Sequence, residues 1–188
     1  MSLNTAPDAQ PLLVALRGMP GVGKSLLAQC LGRELGWPVL DKDDIKDVLY
    51  GRTDADDELA YDVLFRVVRR QLQLHLSVLC DSPLLYPSLF ALAARTAAEA
   101  NGLLVVLDCA LADEAEHRRR IEARGIGDRP AAWGVSDWGS LVAYRERTEQ
   151  HANYPLDVPF YSVDLRQPLA TAVREATAWL RSLAPPSA

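Results

Sequence analysis

The chain of 188 residues holds only three cysteines and three histidines. Three thiols in apolar stretches do not make a disulfide framework, so Cys30, Cys80 and Cys109 are expected as buried free thiols of a reducing compartment. His75, His117 and His151 stand apart, and no His/Cys spacing points to a zinc site. Long apolar runs are missing too: none approaches the ~18–20 residues that span a bilayer. The first residues, MSLNTAPDAQP, carry no basic or apolar leader pattern, so the expected location is the cytoplasm, with no membrane partner. Positive charge is in deficit, with 20 Lys and Arg against 25 Asp and Glu, a net charge of −5. An overall basic footprint for duplex nucleic acid is therefore absent, and a nucleic-acid partner would need a local groove. No feature marks an obligate protein partner, and there is no internal repeat.

What is present is 49% hydrophobic and 24% charged, the balance of a globular protein. The length fits one domain, expected over residues 11–183 between polar tails at 1–10 and 184–188. Short apolar runs predict strands at 12–16, 38–40, 76–80, 103–107 and 160–163. Between and after them, helical spacing predicts helices at 25–35, 43–50, 58–74, 88–100, 112–124, 138–150 and 169–183. Ser136 is the expected cap of the sixth, and Leu59, Val63, Leu64, Val67, Val68 and Leu72 form the apolar spacing of the third. Continuous apolar strands alternating with helices imply an α/β fold, a parallel sheet covered on both faces. Such sheets bind ligands at the carboxyl ends of their strands, so the polar residues there carry the function.

After the first strand comes Gly18-Met19-Pro20-Gly21-Val22-Gly23-Lys24-Ser25, the pattern G-x-x-x-x-G-K-S. Its glycines let backbone N–H groups turn around an anion, and the following helix points its positive end at the same place. This makes Gly18, Gly21, Val22, Gly23, Lys24, Ser25 and Leu26 the expected ATP-binding residues. Lys24 is expected on the β- and γ-phosphates and the Ser25 hydroxyl on Mg²⁺. No guanine-reading N-K-x-D segment is present, and the chain is too short for a motor ATPase with a helical lid domain, which leaves chiefly compact phosphotransferases.

The second strand runs into Asp41-Lys42-Asp43-Asp44-Ile45-Lys46. A carboxylate here can take the proton of an attacking hydroxyl, and Asp43 is the candidate, with Lys46 one turn on as an acceptor contact. Asp41 and Asp44 have a simpler reading as helix-start acids. Asp81 ends the third strand before Ser82-Pro83, where it can hold Mg²⁺ through water or orient Lys46. Arg118-Arg119-Arg120-Ile121-Glu122-Ala123-Arg124-Gly125 leads into a Gly/Pro-rich stretch holding Arg129, expected as a mobile lid over about 118–137. Arg120 and Arg124 lie on one helix face and can place positive charge on the migrating phosphoryl group. Arg118 and Arg119 read as surface charge, and the four tryptophans, Trp37, Trp133, Trp138 and Trp179, as packing residues.

Together, GMPGVGKS, DKDDIK, VLCDSP and RRRIEARG resemble a group of small P-loop kinases. The group includes chloramphenicol phosphotransferase, the kinase domain of phage polynucleotide kinase and the zeta toxins. The resemblance implies a nucleoside monophosphate kinase fold, a three-layer P-loop domain with five parallel strands in order 2-3-1-4-5. It further implies Asp43 as the base, Lys46 at the acceptor and Arg120 and Arg124 on the donor phosphates. Lys46 stands where an arginine is usual, which loses bidentate phosphate contact. The expected function is an ATP- and Mg²⁺-dependent kinase acting on a hydroxyl of a small polar molecule. The catalytic residues are Lys24, Asp43, Arg120 and Arg124, with Asp43, Lys46, Asp81 and Arg129 toward the acceptor and Ser25 and Asp81 toward the metal. The alternatives are a 5′-hydroxyl polynucleotide kinase, a nucleotide kinase, or a regulatory module with slow ATP hydrolysis.

Overall fold

The computed structural model describes residues 10–52, 56–124 and 135–183. Five strands, β1 (Leu12–Arg17), β2 (Val39–Asp41), β3 (Val78–Asp81), β4 (Leu103–Ala110) and β5 (Phe160–Asp164), form one parallel sheet in the order β2-β3-β1-β4-β5. Among the described residues seven helices connect or follow them: α1 (Lys24–Leu35), α2 (Lys42–Leu49), α3 (Asp56–Gln73), α4 (Pro87–Glu99), α5 (Glu114–Arg124), α6 (Trp138–Ala152) and α7 (Leu169–Leu183). This is the P-loop NTPase fold, with the expected strand order.

The sheet has a core on each face because side chains alternate along a strand. Leu12, Val14 and Leu16 of β1 join Leu79, Val105, Leu107 and Cys109 under α1 and α7. Leu13 and Ala15 join Val78, Cys80, Leu104 and Val106 under α3 and α4. Both faces of β1 are buried, which is why it reads as an unbroken apolar run. Gly32 of α1 allows the close approach of β2, since a Cβ there would lie 2.6 Å from Val39 Cγ2.

Several boundaries differ from the sequence reading. β3 begins at Val78, not 76: Leu76 is 47% exposed, beyond the end of its neighbours. β4 runs on to Ala110, three residues past its apolar stretch, because β5 pairs with it from Val106 to Ala110. The cap of α6 is Asp137 rather than Ser136, in a reciprocal pair with Ser140. Only Leu64, Val68 and Leu72 of the third helical pattern are buried; Leu59, Val63 and Val67 lie on the outer flank of α3, each 38–39% exposed. Cys80 and Cys109 are buried free thiols as expected, but Cys30 is only half-buried. Trp37 and Trp179 pack against the first core and Tyr161 stacks on Trp179, whereas Trp133 lies outside the described residues. Among the described residues no helix is long and apolar enough to cross a membrane.

Leu79 is fully buried where β3 meets α1. Truncation to alanine leaves a cavity that this two-sided core cannot collapse, at an expected cost of about 2–5 kcal/mol in urea or guanidinium unfolding.

Candidate active site

Charged residues end four strands on one edge of the sheet: Arg17 on β1, Asp41 on β2, Asp81 on β3 and Asp164 on β5. The loop from Gly18 to Gly23 rises among them. Gly18, Gly21 and Gly23 have φ of 144°, 81° and 114°, a region closed to most side chains. A Cβ at Gly18 would stand 2.4 Å from the Cys109 carbonyl oxygen, and one at Gly21 would stand 2.2 Å from Ile121 Cδ1. Gly23 caps α1 without any side-chain hydrogen bond, whereas Asp41 caps α2 and Asp137 caps α6. No N-cap side chain lies over the start of α1, where the first-turn N–H groups and the helix dipole suit an anion.

The loop's carbonyl groups are held by side chains. Lys24 Nζ donates to Met19 O (3.0 Å), His117 Nε2 to Pro20 O (2.8 Å) and Arg120 Nη1 to Val22 O (2.8 Å). In a trans peptide the C=O and the next N–H point to opposite sides. Fixing the carbonyls of Pro20 and Val22 therefore turns the N–H groups of Gly21 and Gly23 the other way. His117, Arg120 and Ile121 recur at i, i+3 and i+4, so one face of α5 presses on the loop. The His117 ring is buried and meets Trp138 edge-on at 5.9 Å; burial holds its pKa below the usual histidine value.

Arg120 also donates from Nη2 to Leu165 O (2.9 Å) and from Nε to Glu116 (2.8 Å). It bridges the phosphate loop and the turn after β5, so it is an anchored arginine in this state rather than part of a mobile lid. Arg118 and Arg119 form exposed pairs with Glu122 and Glu116, as surface charge should. The Arg124 side chain, Arg129 and the expected hinge at 125–134 lie outside the described residues. Leu26 is 54% exposed on the outside of α1.

Asp81, buried, sits in register with Asp41 at the ends of neighbouring strands. Burial, followed by the Asp81 charge, pushes the Asp41 carboxyl up to about 6. Asp41 Oδ1 accepts the Asp43 N–H at 2.8 Å, so it is a cap, as the simpler reading had it. The Asp41 and Asp81 carboxylates at adjacent strand ends, and the Ser25 hydroxyl in the first turn of α1, are hard oxygen donors of the kind Mg²⁺ takes.

On α2, Lys42 Nζ lies 3.4 Å from Asp43 Oδ1 and 3.2 Å from Asp57 Oδ1, and Lys46 Nζ lies 2.8 Å from the same Asp57 oxygen. Lys42 also stands over the Tyr61 ring at 5.5 Å, and Ser82 Oγ donates to the Tyr61 hydroxyl at 3.4 Å. The lysines hold Asp57 below the usual carboxylate range, while burial raises Tyr61 and Tyr144. Asp57 and Tyr61 were not singled out in the sequence, where they read as part of an acidic helix start. Arg17, also missed, pairs with Asp108 (3.3 Å) and donates to the carbonyls of Ala152 and Tyr154, tying the end of α6 to the sheet. A cavity of about 260 Å³ lies on the β4 and α6 side of the loop, lined by Arg17, Met19, Val22, Asp108, His117 and Arg145 among others, and no residue of α2 or α3 lines it.

A family model described as AAA domain (AAA_33) matches residues 13–148. A protein of Chloroflexus aurantiacus J-10-fl superposes with a TM-score of 0.70 at 22% identity, over 93% of this chain and 98% of the other. A gluconokinase from Sinorhizobium meliloti 1021 superposes at 0.59 and 21% identity, over 95% of each chain. The Mycobacterium tuberculosis APS kinase CysC, in complex with AMPPNP and APS, superposes at 0.60 and 19% identity, over 92% and 98%. These likenesses establish a shared fold. No curated protein sequence matches the chain.

Two outcomes follow from this geometry. With its folded pKa near 6 and its unfolded value at 3.8, Asp41 favours the folded state fully below pH 3.8 and loses that favour as pH rises through 6. Asp41→Asn keeps a capping oxygen, so in EDTA at pH 8 it is expected to gain about 1–3 kcal/mol in chemical denaturation, a gain that vanishes by pH 4. His117→Ala leaves the Pro20 carbonyl without its donor, and ATP titration is expected to show affinity falling by roughly 5–100-fold.

Proposed function

The chain belongs to the AAA domain family AAA_33, and on that premise we propose that it is an ATP-using phosphotransferase, a kinase that moves the γ-phosphoryl group of ATP to a hydroxyl of a small polar molecule. The observation that carries this reading is the placing, on one edge of the sheet, of an uncapped anion cradle and a lysine-flanked carboxylate on α2. A regulatory ATP sensor needs the first and has little use for the second.

In this reading the N–H groups of Gly21 and Gly23 and the start of α1 bind the ATP phosphates. Lys24, which rests on the Met19 carbonyl, moves to the β- and γ-oxygens. Ser25, and Asp81 through water, would hold Mg²⁺, which supplies charge neutralisation to the phosphates when bound. Arg120, between Val22 and Leu165, offers its guanidinium plane to the adenine beside the turn at 164–168. Arg124 and Arg129 are proposed to place positive charge on the transferring group. The acceptor lies toward α2, near Lys46. Its oxygen bonds to the γ-phosphorus, the bond from that phosphorus to the β–γ bridging oxygen breaks, and ADP leaves. Asp43 receives the hydroxyl proton.

Lys24→Ala is expected to abolish transfer from labelled ATP; near-normal turnover would remove the site assignment. Asp43→Asn is expected to keep ATP affinity while transfer falls about 10²–10⁴-fold. Equal losses of binding and rate would make Asp43 a structural or metal-holding residue instead. Screened on sugars, amino alcohols, nucleosides, nucleotides and a 5′-hydroxyl oligonucleotide, the wild type is expected to label a small polar acceptor.

A further inference from the structure

The acceptor side of the cleft holds an arrangement that the transfer step does not require. Lys42 and Lys46 both bring Nζ to a single oxygen, Asp57 Oδ1. The two lysine side chains are only 12% and 9% exposed, but the Asp57 side chain is 61% exposed. Two adjoining ammonium groups are thus drawn out of water and covered by a carboxylate that stands mostly in it.

Burying two like charges side by side is costly unless an anion neutralises them. An oxygen at this point answers that need, and the chain provides it from the first turn of another helix, α3. The pairing is lopsided. The lysines need the anion because they are desolvated, whereas the Asp57 side chain remains mostly exposed, where an ion pair is worth less. Another anion of suitable size can take its place, and the lysines lose nothing in the exchange. Position narrows the choice further. Lys42 Nζ touches both Asp43, the proposed proton acceptor, and Asp57. A molecule whose hydroxyl meets Asp43 therefore has its next few atoms where the Asp57 carboxylate now lies.

Resting on the kinase reading above, we propose that the phosphoryl acceptor is a compact hydroxy compound bearing an anionic group, a carboxylate, sulfate or phosphate, which displaces Asp57 from Lys42 and Lys46. Asp57 is an internal stand-in for that group. It offsets part of the charge of both lysines, beside Asp43 on Lys42, and it competes with weak ligands. A neutral polyol of the same size has nothing to offer the two ammonium groups in exchange, so Asp57 stays and the cleft stays obstructed. Selection for charge thus comes from the competitor as much as from the lysines.

The test is direct binding of inorganic sulfate by calorimetry to protein already saturated with magnesium and AMPPNP, so that the phosphate loop is occupied. Relative to wild type, Asp57→Asn is expected to bind sulfate about tenfold more tightly and Lys46→Gln about tenfold more weakly, with Lys46→Arg restoring binding. If Asp57 merely ties α3 to α2, Asp57→Asn leaves sulfate affinity unchanged or weakens it, and the proposal falls. A second arm compares phosphoryl transfer to polyols and to aldonates or polyol phosphates of equal carbon number. The anionic partners are expected to be favoured at least about tenfold in kcat/KM, with Lys46→Gln erasing the preference through KM. Transfer to neutral polyols with full Asp43 dependence and no preference for charge would overturn the anionic acceptor and leave the kinase standing. Sulfate binding that follows Lys46 and Asp57, without transfer to any acceptor, would uphold the anion site and overturn the kinase.

Discussion

The site depends first on the way α5 is pressed against the phosphate loop. A glycine-rich loop has many conformations, and only one set turns its N–H groups together toward an anion. Here the selection is made from outside. His117 and Arg120 hold the Pro20 and Val22 carbonyls, and Ile121 fills the space that a side chain at position 21 would need. Each contact is an ordinary hydrogen bond or van der Waals contact. Their combined effect is to bear much of the ordering entropy before any nucleotide arrives, and preorganisation of this kind raises affinity without adding contacts to the ligand.

The opposite side of the cleft is organised by charge. Asp41 and Asp81 crowd each other at adjacent strand ends, while Lys42, Lys46, Asp43 and Asp57 form a chain of alternating sign along α2 and the start of α3. Burial, and then the neighbouring Asp81 charge, disfavour the ionised form of Asp41. The lysine pair shares Asp57, whose side chain stands mostly in water, and Lys42 also meets Asp43. The first arrangement suits a metal with its nucleotide. The second suits an incoming anion.

Much of this was legible in the chain itself. The parallel sheet follows from apolar runs interleaved with helices, its strand order from the resemblance to small P-loop kinases, and the loop from its glycines and Gly-Lys-Ser. Asp43 and Lys46 were reached by their place after β2, and Arg120 by its spacing in α5, although its bonds to Val22 and Leu165 make it an anchor where a moving clamp was expected. His117 was passed over because an isolated histidine has no local signature. Its spacing to Arg120 and Ile121 on one helix face was the signal available. Asp57 and Tyr61 were hidden for another reason: acidic residues at a helix start and an aromatic among leucines are common, and nothing local shows that they face α2.

What the sequence by itself determined is therefore set by near neighbours: the apolar period of each element, the φ-permissive glycines, the polar residues left at the carboxyl ends of buried strands. These are properties of a few consecutive residues, and short-range sterics and solvation are enough to impose them. Only the tertiary structure decided which donors hold the loop's carbonyls, that Asp41 and Asp81 stand side by side, and that two lysines share one oxygen of Asp57. Those pairings join residues up to about a hundred positions apart. They exist because the packed sheet brings the strand ends together, and because a desolvated charge or carbonyl must find a partner wherever the fold has placed one.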